Sequence, residues 1–152
     1  WLEANRPTVT NPTVLNWGDS RIGNMLWEGP TPTAVLDWEM ACLGPAEVDL
    51  GWMIFLHAFF QNMAETYGMP GLPDFMRRGD MAALYTEMSG RSVEALEWFE
   101  VFAALRFATV SIRTTTRGVE YGQMEPPAEP DDVVMFRDLL EQMLDGSYWD
   151  GR

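Results

Sequence analysis

The sequence predicts an α+β domain, with a short β-hairpin ahead of a mainly helical bundle. Three observations predict it. Over residues 14–38, short apolar pieces alternate with polar stretches punctuated by Gly and Pro. After Gly44-Pro45 the apolar spacing becomes helical and stays so. No later segment reads as a strand, so the two element types are segregated along the chain.

Residues 2–13 read as a loop, broken by Pro7 and Pro12. Val14 and Leu15 start a short apolar piece, and Asn16–Asn24 is a polar, glycine-containing loop. Met25-Leu26-Trp27 reads as a strand, Glu28–Thr33 as a turn, and Ala34–Trp38 as the returning strand of a hairpin. Pro45 suits the first helical position or the one before it, and Glu47 and Asp49 suit a helix first turn. Val48, Trp52, Phe55, Phe59 and Met63 share one helix face, and the helix should run to about Tyr67. A shorter helix over Asp80–Ser89 should end at Gly90. Ser92 is placed to cap a long helix running to about Gly118, with Glu94 in its first turn. Asp131–Asp145 reads as a last amphipathic helix. The expected organisation is one partial domain over 1–152, with 14–40 forming a loop and hairpin and 45–152 a helical subdomain.

Composition narrows the function. The chain has 152 residues, is 47% hydrophobic and carries a formal charge of −13, from 23 acids against 10 basic residues, all of them Arg. That balance disfavours nucleic acid and anionic membrane as partners. The most apolar stretch, Leu50–Phe60, is interrupted by His57 and is far shorter than the ~20 residues a membrane helix needs. No secretory signal is visible. One Cys and one His cannot build a usual zinc site, and a single Cys suits a reducing, cytoplasmic setting. With no Lys, a mechanism that needs one must find it elsewhere. The opening on Trp1, without Met, points to a fragment whose upstream part is absent.

Three residues carry the chemistry. Asp19 and Asn24 share one loop in the spacing D-x-x-x-x-N, and Asp37 ends the strand expected to return beside it. Two carboxylates and an amide oxygen make a hard oxygen set suited to Mg²⁺. Phosphoryl transfer uses such a trio: one Asp orients the acceptor hydroxyl, and the Asn and second Asp hold the metal at the nucleotide phosphates. The spacing alone is weak, because Asp and Gly also make ordinary turns.

The ordered set is stronger. The chain reads W-G-D-S-R-I-G-N at 17–24, V-L-D-W-E at 35–39 and G-P-A-E-V-D-L at 44–50. In this order it resembles the aminoglycoside phosphotransferase-like family, whose loop commonly reads H-G-D-x-x-x-x-N ahead of an I/L-D-W/F-E motif. It is close to the branch similar to the kinase domains fused to acyl-CoA dehydrogenases. The resemblance implies the C-terminal lobe of a protein-kinase-like fold. It implies an ATP- and Mg²⁺-dependent transfer to a hydroxyl of a small molecule, either an aminoglycoside-like antibiotic or a hydroxyacyl-type metabolite. It makes Asp19 the catalytic aspartate and Asn24 and Asp37 the Mg²⁺ ligands. Arg21 is then placed to meet a phosphate or a substrate carboxylate. Asp49 and Trp17 become braces of the loop, with Trp17 standing where many members have His. The glycine-rich loop and lysine that anchor ATP belong to an N-terminal lobe missing from this chain, so the isolated fragment is expected to be inactive.

Other readings stay open. A catalytically dead, kinase-like binding module would keep the fold, and a two-carboxylate metal hydrolase would need more ligands than this loop supplies. Arg21 and Glu39 equally suit solvated or structural roles. His57 reads as a satisfied core histidine, Cys42 as inert, and the recurring aromatics, Phe60 among them, as core. Glu94, Glu97, Glu100 and Glu120 suit either a cationic substrate or, more simply, a solvated helix face.

Overall fold

Two short antiparallel ladders form where the sequence predicts a single hairpin. The computed structural model describes residues 1–149. Strand β1 (Val14–Asn16) pairs with β4 (Cys42–Gly44), and β2 (Met25–Glu28) pairs with β3 (Thr31–Val35). The β2–β3 turn is tighter than the expected Glu28–Thr33, and a register irregularity between Leu26 and Trp27 sets Trp27 opposite Pro32. A proline lacking an N–H is tolerated there because each strand of a two-stranded ladder has a free edge. Strand β3 stops at Val35 rather than Trp38, and Asp37 has φ +61°. That left-handed conformation is incompatible with a continuing strand. Residues 17–24 and 36–41 are therefore the two unpaired legs between the ladders, facing each other across the hairpin.

Helix α1 spans Glu47–Thr66, α2 Arg78–Ser89, α3 Leu96–Glu120 and α4 Arg137–Asp145. The overall class is mixed α+β, with two small antiparallel sheets followed by four helices. Helix α1 starts after Pro45 with Glu47 and Asp49 in its first turn, and Gly90 (φ +70°) ends α2 in the left-handed cap that glycine favours. None of the helices is long and apolar enough to cross a membrane, among the described residues.

Two helix boundaries differ from the sequence reading, and tertiary contacts explain both. Helix α3 begins at Leu96, so Ser92 caps nothing and Glu94 lies outside the helix. Buried Glu47 accepts hydrogen bonds from Asn11 Nδ2 (2.6 Å) and the Glu94 backbone N–H (2.9 Å), and Asn11 also donates to the Ser92 carbonyl. Glu94 in turn accepts from the Thr10 N–H and hydroxyl. The segment is bolted to the N-terminal loop instead of joining the helix. Likewise, the expected helix over 131–145 splits into a short 3₁₀ turn, Pro130–Val133, and α4. Ser111 and Thr115 of α3 donate to the Val133 carbonyl, and the Met135 N–H donates to Ser111 Oγ. Those bonds take the backbone groups that a continuous helix would use.

The core lies between α1 and α3, closed by α4. Trp52, Phe55 and Phe59 of α1 are buried, whereas Val48 and Met63 on the same face are only partly so. Phe55, Phe59, Phe107 and Phe136 form a cluster with ring centroids 4.9–5.9 Å apart, mostly in edge-on arrangements of the kind such rings prefer. Gly51 sets the helix spacing: a Cβ there would stand 2.7 Å from the Phe99 carbonyl carbon. Phe60 departs from the core expectation, at 51% exposed.

Candidate active site

The 17–24 loop is held by the first turn of α1. Asp49 Oδ2 accepts from the Trp17 N–H at 2.6 Å and Oδ1 from the Gly18 N–H at 2.8 Å. Ser20 Oγ donates to the Asp49 carbonyl at 2.8 Å. One carboxylate thus satisfies two adjacent loop amides while sitting where a helix dipole favours negative charge. Gly18 has φ +92°, and a Cβ there would fall 2.1 Å from the Met40 carbonyl oxygen. Only glycine lets the 17–24 leg approach the 36–41 leg this closely.

The two legs are stitched together beside that contact. The Leu36 N–H donates to the Asn24 carbonyl at 2.8 Å, and Trp17 Nε1 donates to the Leu36 carbonyl at 2.7 Å. Asp37 follows directly, which brings its backbone next to Asn24. Trp17 is 8% exposed, with its ring 6.2 Å from that of Trp38.

Asp19 sits at the centre. Its Oδ2 accepts from Asn24 Nδ2 (2.6 Å) and Arg21 Nε (3.0 Å), and its Oδ1 accepts from Trp52 Nε1 (2.8 Å). A carboxylate offers about four acceptor positions, so three donors fix its orientation and leave one position for an incoming hydroxyl. Asn24 is buried, and its Nδ2 also reaches the Asp19 carbonyl at 3.2 Å. Its amide is spent on Asp19, so Oδ1 is the atom left for a cation. The Asp37 carboxylate is exposed and has no hydrogen bond or ion pair among the described residues. Glu39 is exposed and Cys42 lies exposed on β4.

Asn24 Oδ1 and the Asp37 carboxylate are hard oxygens on adjoining segments, a donor set that fits Mg²⁺. No group of three or more His, Cys, Asp or Glu side chains that could hold a metal occurs among the described residues. Mg²⁺ commonly takes one or two protein ligands and shares its remaining positions with water and phosphate oxygens.

Two supporting residues escape a reading of the sequence. Trp52 falls on the apolar stripe of α1 and reads as core, yet its indole N–H reaches Asp19. Arg106 of α3 donates Nη2 to the Gly18 carbonyl at 3.0 Å, and its Cζ lies 4.4 Å from the Trp52 ring centroid. Burial pulls the Arg106 guanidinium below its ordinary value, opposed by Cys42, Asp49 and Asp19. The one available signal was a lone cation inside the apolar run F-A-A-L-R-F-A.

Glu100 corrects the expectation of a solvated acid. It is 0% exposed and paired with Arg78 at 2.5 Å, with the Tyr148 hydroxyl donating at 3.4 Å. Burial pushes the Glu100 carboxyl up, against Arg78 and Tyr148. For Arg78, burial acts to lower the guanidinium, but Glu100's hydrogen bond and charge outweigh it and hold Arg78 above its ordinary value. The forked contact of Nε and Nη2 with the two carboxylate oxygens holds Arg78 and Glu100 as an ionised pair. His57 is half-buried, with Nε2 3.0 Å from the Leu72 carbonyl and its ring edge-on to Phe75.

Residues 1–91, which contain the loop, both ladders, α1 and α2, match the family model of the phosphotransferase enzyme family (APH). The chain belongs to the phosphotransferase enzyme family. Membership carries a kinase-like fold and a phosphotransferase class of activity, and the Asp19 loop, the hairpin and the Asp49 brace all fall within the matched part. Helices α3 and α4, with Arg106 and Glu100, lie outside it.

Proposed function

We propose that this phosphotransferase family member is the C-terminal lobe of an ATP- and Mg²⁺-dependent kinase that acts on a hydroxyl of a small molecule. The observation that supports this most is Asp19, a carboxylate fixed by three donors with one acceptor position left open. In this reading Asp19 is the catalytic residue. It accepts a hydrogen bond from the acceptor hydroxyl, sets its oxygen in line with the γ-phosphorus and takes its proton as the new O–P bond forms and the bond from the γ-phosphorus to the β–γ bridging oxygen breaks, releasing ADP. Asn24 and Asp37 are the ligands that would hold Mg²⁺, which when bound offsets charge on the nucleotide phosphates. Arg21 stays tied to Asp19 through Nε and presents its remaining nitrogens to a phosphate or an acceptor anion. Asp49 and Trp17 hold the loop in register.

The chain contains no Lys, so the lysine that the resemblance assigns to anchoring ATP would come from an N-terminal lobe outside these residues. The reading places the protein in the cytoplasm, where ATP is available. The test is Asp37→Ala in the full-length protein. Because Asp37 is exposed and unpaired among the described residues, the variant should stay folded, losing only the about 1–2 kcal/mol that alanine costs in the left-handed backbone of residue 37, roughly a few degrees of Tm. It should also lose Mg²⁺-dependent ADP production. Unchanged turnover would overturn the assignment.

A further inference from the structure

We infer that the acceptor is an alcohol with an apolar body and no positive charge. This rests on the phosphotransferase reading only in taking Asp19 as the group that meets the hydroxyl. A cavity of about 230 Å³ opens beside the 17–24 loop. Arg21 and Ile22 form its loop side, and Met53, Leu56 and Phe60 of α1 and Met76 supply its apolar walls. Arg21 Nε is bonded to Asp19, so the cavity lies one side chain from that carboxylate. Ile22 and Phe60 are 39% and 51% exposed, large apolar groups left in water at this site. An apolar ligand removes that surface from water, at about 25 cal/mol per Å². A polyhydroxylated amine would find few partners on such walls, and its buried polar groups would go unpaired.

Charge points the same way. The chain holds 23 acids, yet among the described residues no Asp or Glu lines this cavity, whose ionisable groups there are Arg21 and His57. Inside the cavity an ammonium would meet the Arg21 guanidinium, and the neighbouring Asp19 carboxylate is already tied to that guanidinium. The adjoining cavity, of about 320 Å³, shares His57 and Met76 with the first and does contain Glu65, Asp74 and Glu100. Each of these is engaged internally, by Gln61, Arg77 and Arg78 respectively. Arg21 Nη1 and Nη2 have no hydrogen bond among the described residues, so a carboxylate on the acceptor is accommodated as well as a neutral end.

The experiment offers the full-length protein three alcohols: 1,2-octanediol, 2-hydroxyoctanoate and kanamycin. Binding is read by saturation-transfer NMR, and turnover by ADP release above the rate with water alone. One or both octyl compounds should bind and kanamycin should not. Phe60→Asp should weaken octyl binding about tenfold or more. Ile22→Asp, on the loop side, should do the same, and thermal melts confirm that each variant is folded. The inference is overturned if kanamycin binds and the octyl compounds do not, if none binds, or if both folded variants bind the octyl compounds as the parent does. Octyl binding without ADP release from any alcohol supports the cavity assignment and counts instead against the phosphotransferase reading.

Discussion

Replacing Asp49 with asparagine should cost about 2–4 kcal/mol of stability. The estimate follows from the loop geometry. Asp49 receives two backbone N–H groups, from Trp17 at 2.6 Å and Gly18 at 2.8 Å. A hydrogen bond to a charged group contributes about 1.5–3 kcal/mol. Asparagine keeps one acceptor oxygen and turns the other into an NH₂ donor. One of the two loop amides then faces a donor and loses its partner, and the second bond loses its charge assistance. The negative charge in the first turn of α1 also disappears, at about 0.3–1 kcal/mol. For a chain of this size the sum corresponds to a drop in Tm of roughly 5–15 °C. Urea unfolding followed by tryptophan fluorescence measures it directly, with exposed Glu39→Gln as the control expected within about 0.5 kcal/mol of the parent. In the full-length protein the same variant should lower kcat, because Asp19 sits next to the released amides. A stability loss below about 1 kcal/mol would refute the brace argument.

Gly18→Ala should be more damaging than its single methyl suggests, because the new Cβ meets the Met40 carbonyl and φ is +92°; a variant with the parent's melting temperature would contradict the close approach of the two legs. Glu100→Ala leaves the half-buried Arg78 guanidinium without its carboxylate and should cost about 2–4 kcal/mol by denaturant unfolding, toward the low end of what breaking a buried pair costs; a change under about 1 kcal/mol would mean the pair is not ionised. Trp52→Phe keeps the ring under Arg106 but removes the N–H to Asp19. It should lower kcat in the full-length protein with KM for ATP little changed, and a pure KM effect would argue against a role in positioning Asp19. Hydrogen bonds from the Thr10 N–H and hydroxyl hold the Glu94 carboxyl below its usual value. The stability from that contact is therefore present above the ordinary carboxylate range and lost as pH falls through the folded value. Melting temperature between about pH 6 and about pH 3 should fall less steeply in Glu94→Gln than in the parent, and parallel profiles would rule the contact out.

Local chemistry made much of this site legible from the sequence. Asp19 and Asn24 are close because only four residues of one loop separate them, and Gly18 beside Asp19 marks the tight backbone. The α1 stripe followed from helical periodicity, and the start of that helix from Pro45 and its flanking acids. Long-range partners were hidden. Nothing near Trp52 announces that its N–H faces a carboxylate, because the same spacing serves a purely apolar core. Glu100 reads as a surface acid until Arg78, brought over by the fold, neutralises it. Ser92 has the chemistry of a cap, but Glu47 and Asn11 claim the backbone around it, and Ser111 similarly breaks the last predicted helix. Asp37 was read as a strand end. Its left-handed backbone follows directly on Leu36, whose N–H and carbonyl are both bonded to the facing leg, a long-range pairing that the sequence around Asp37 does not announce.

Helix α1 serves as a ruler for the whole site. Asp49 indexes the loop backbone, Trp52 indexes the Asp19 carboxylate, and Met53, Leu56 and Phe60 set the wall of the neighbouring cavity. Each residue advances a helix by about 100° and 1.5 Å. A single deletion between Asp49 and Leu56 would therefore rotate the wall by more than a quarter turn relative to the carboxylate, with no site residue lost. Exposed side chains on the distal turns, such as Phe60, can change to retune what is held there, while the spacing that carries them cannot.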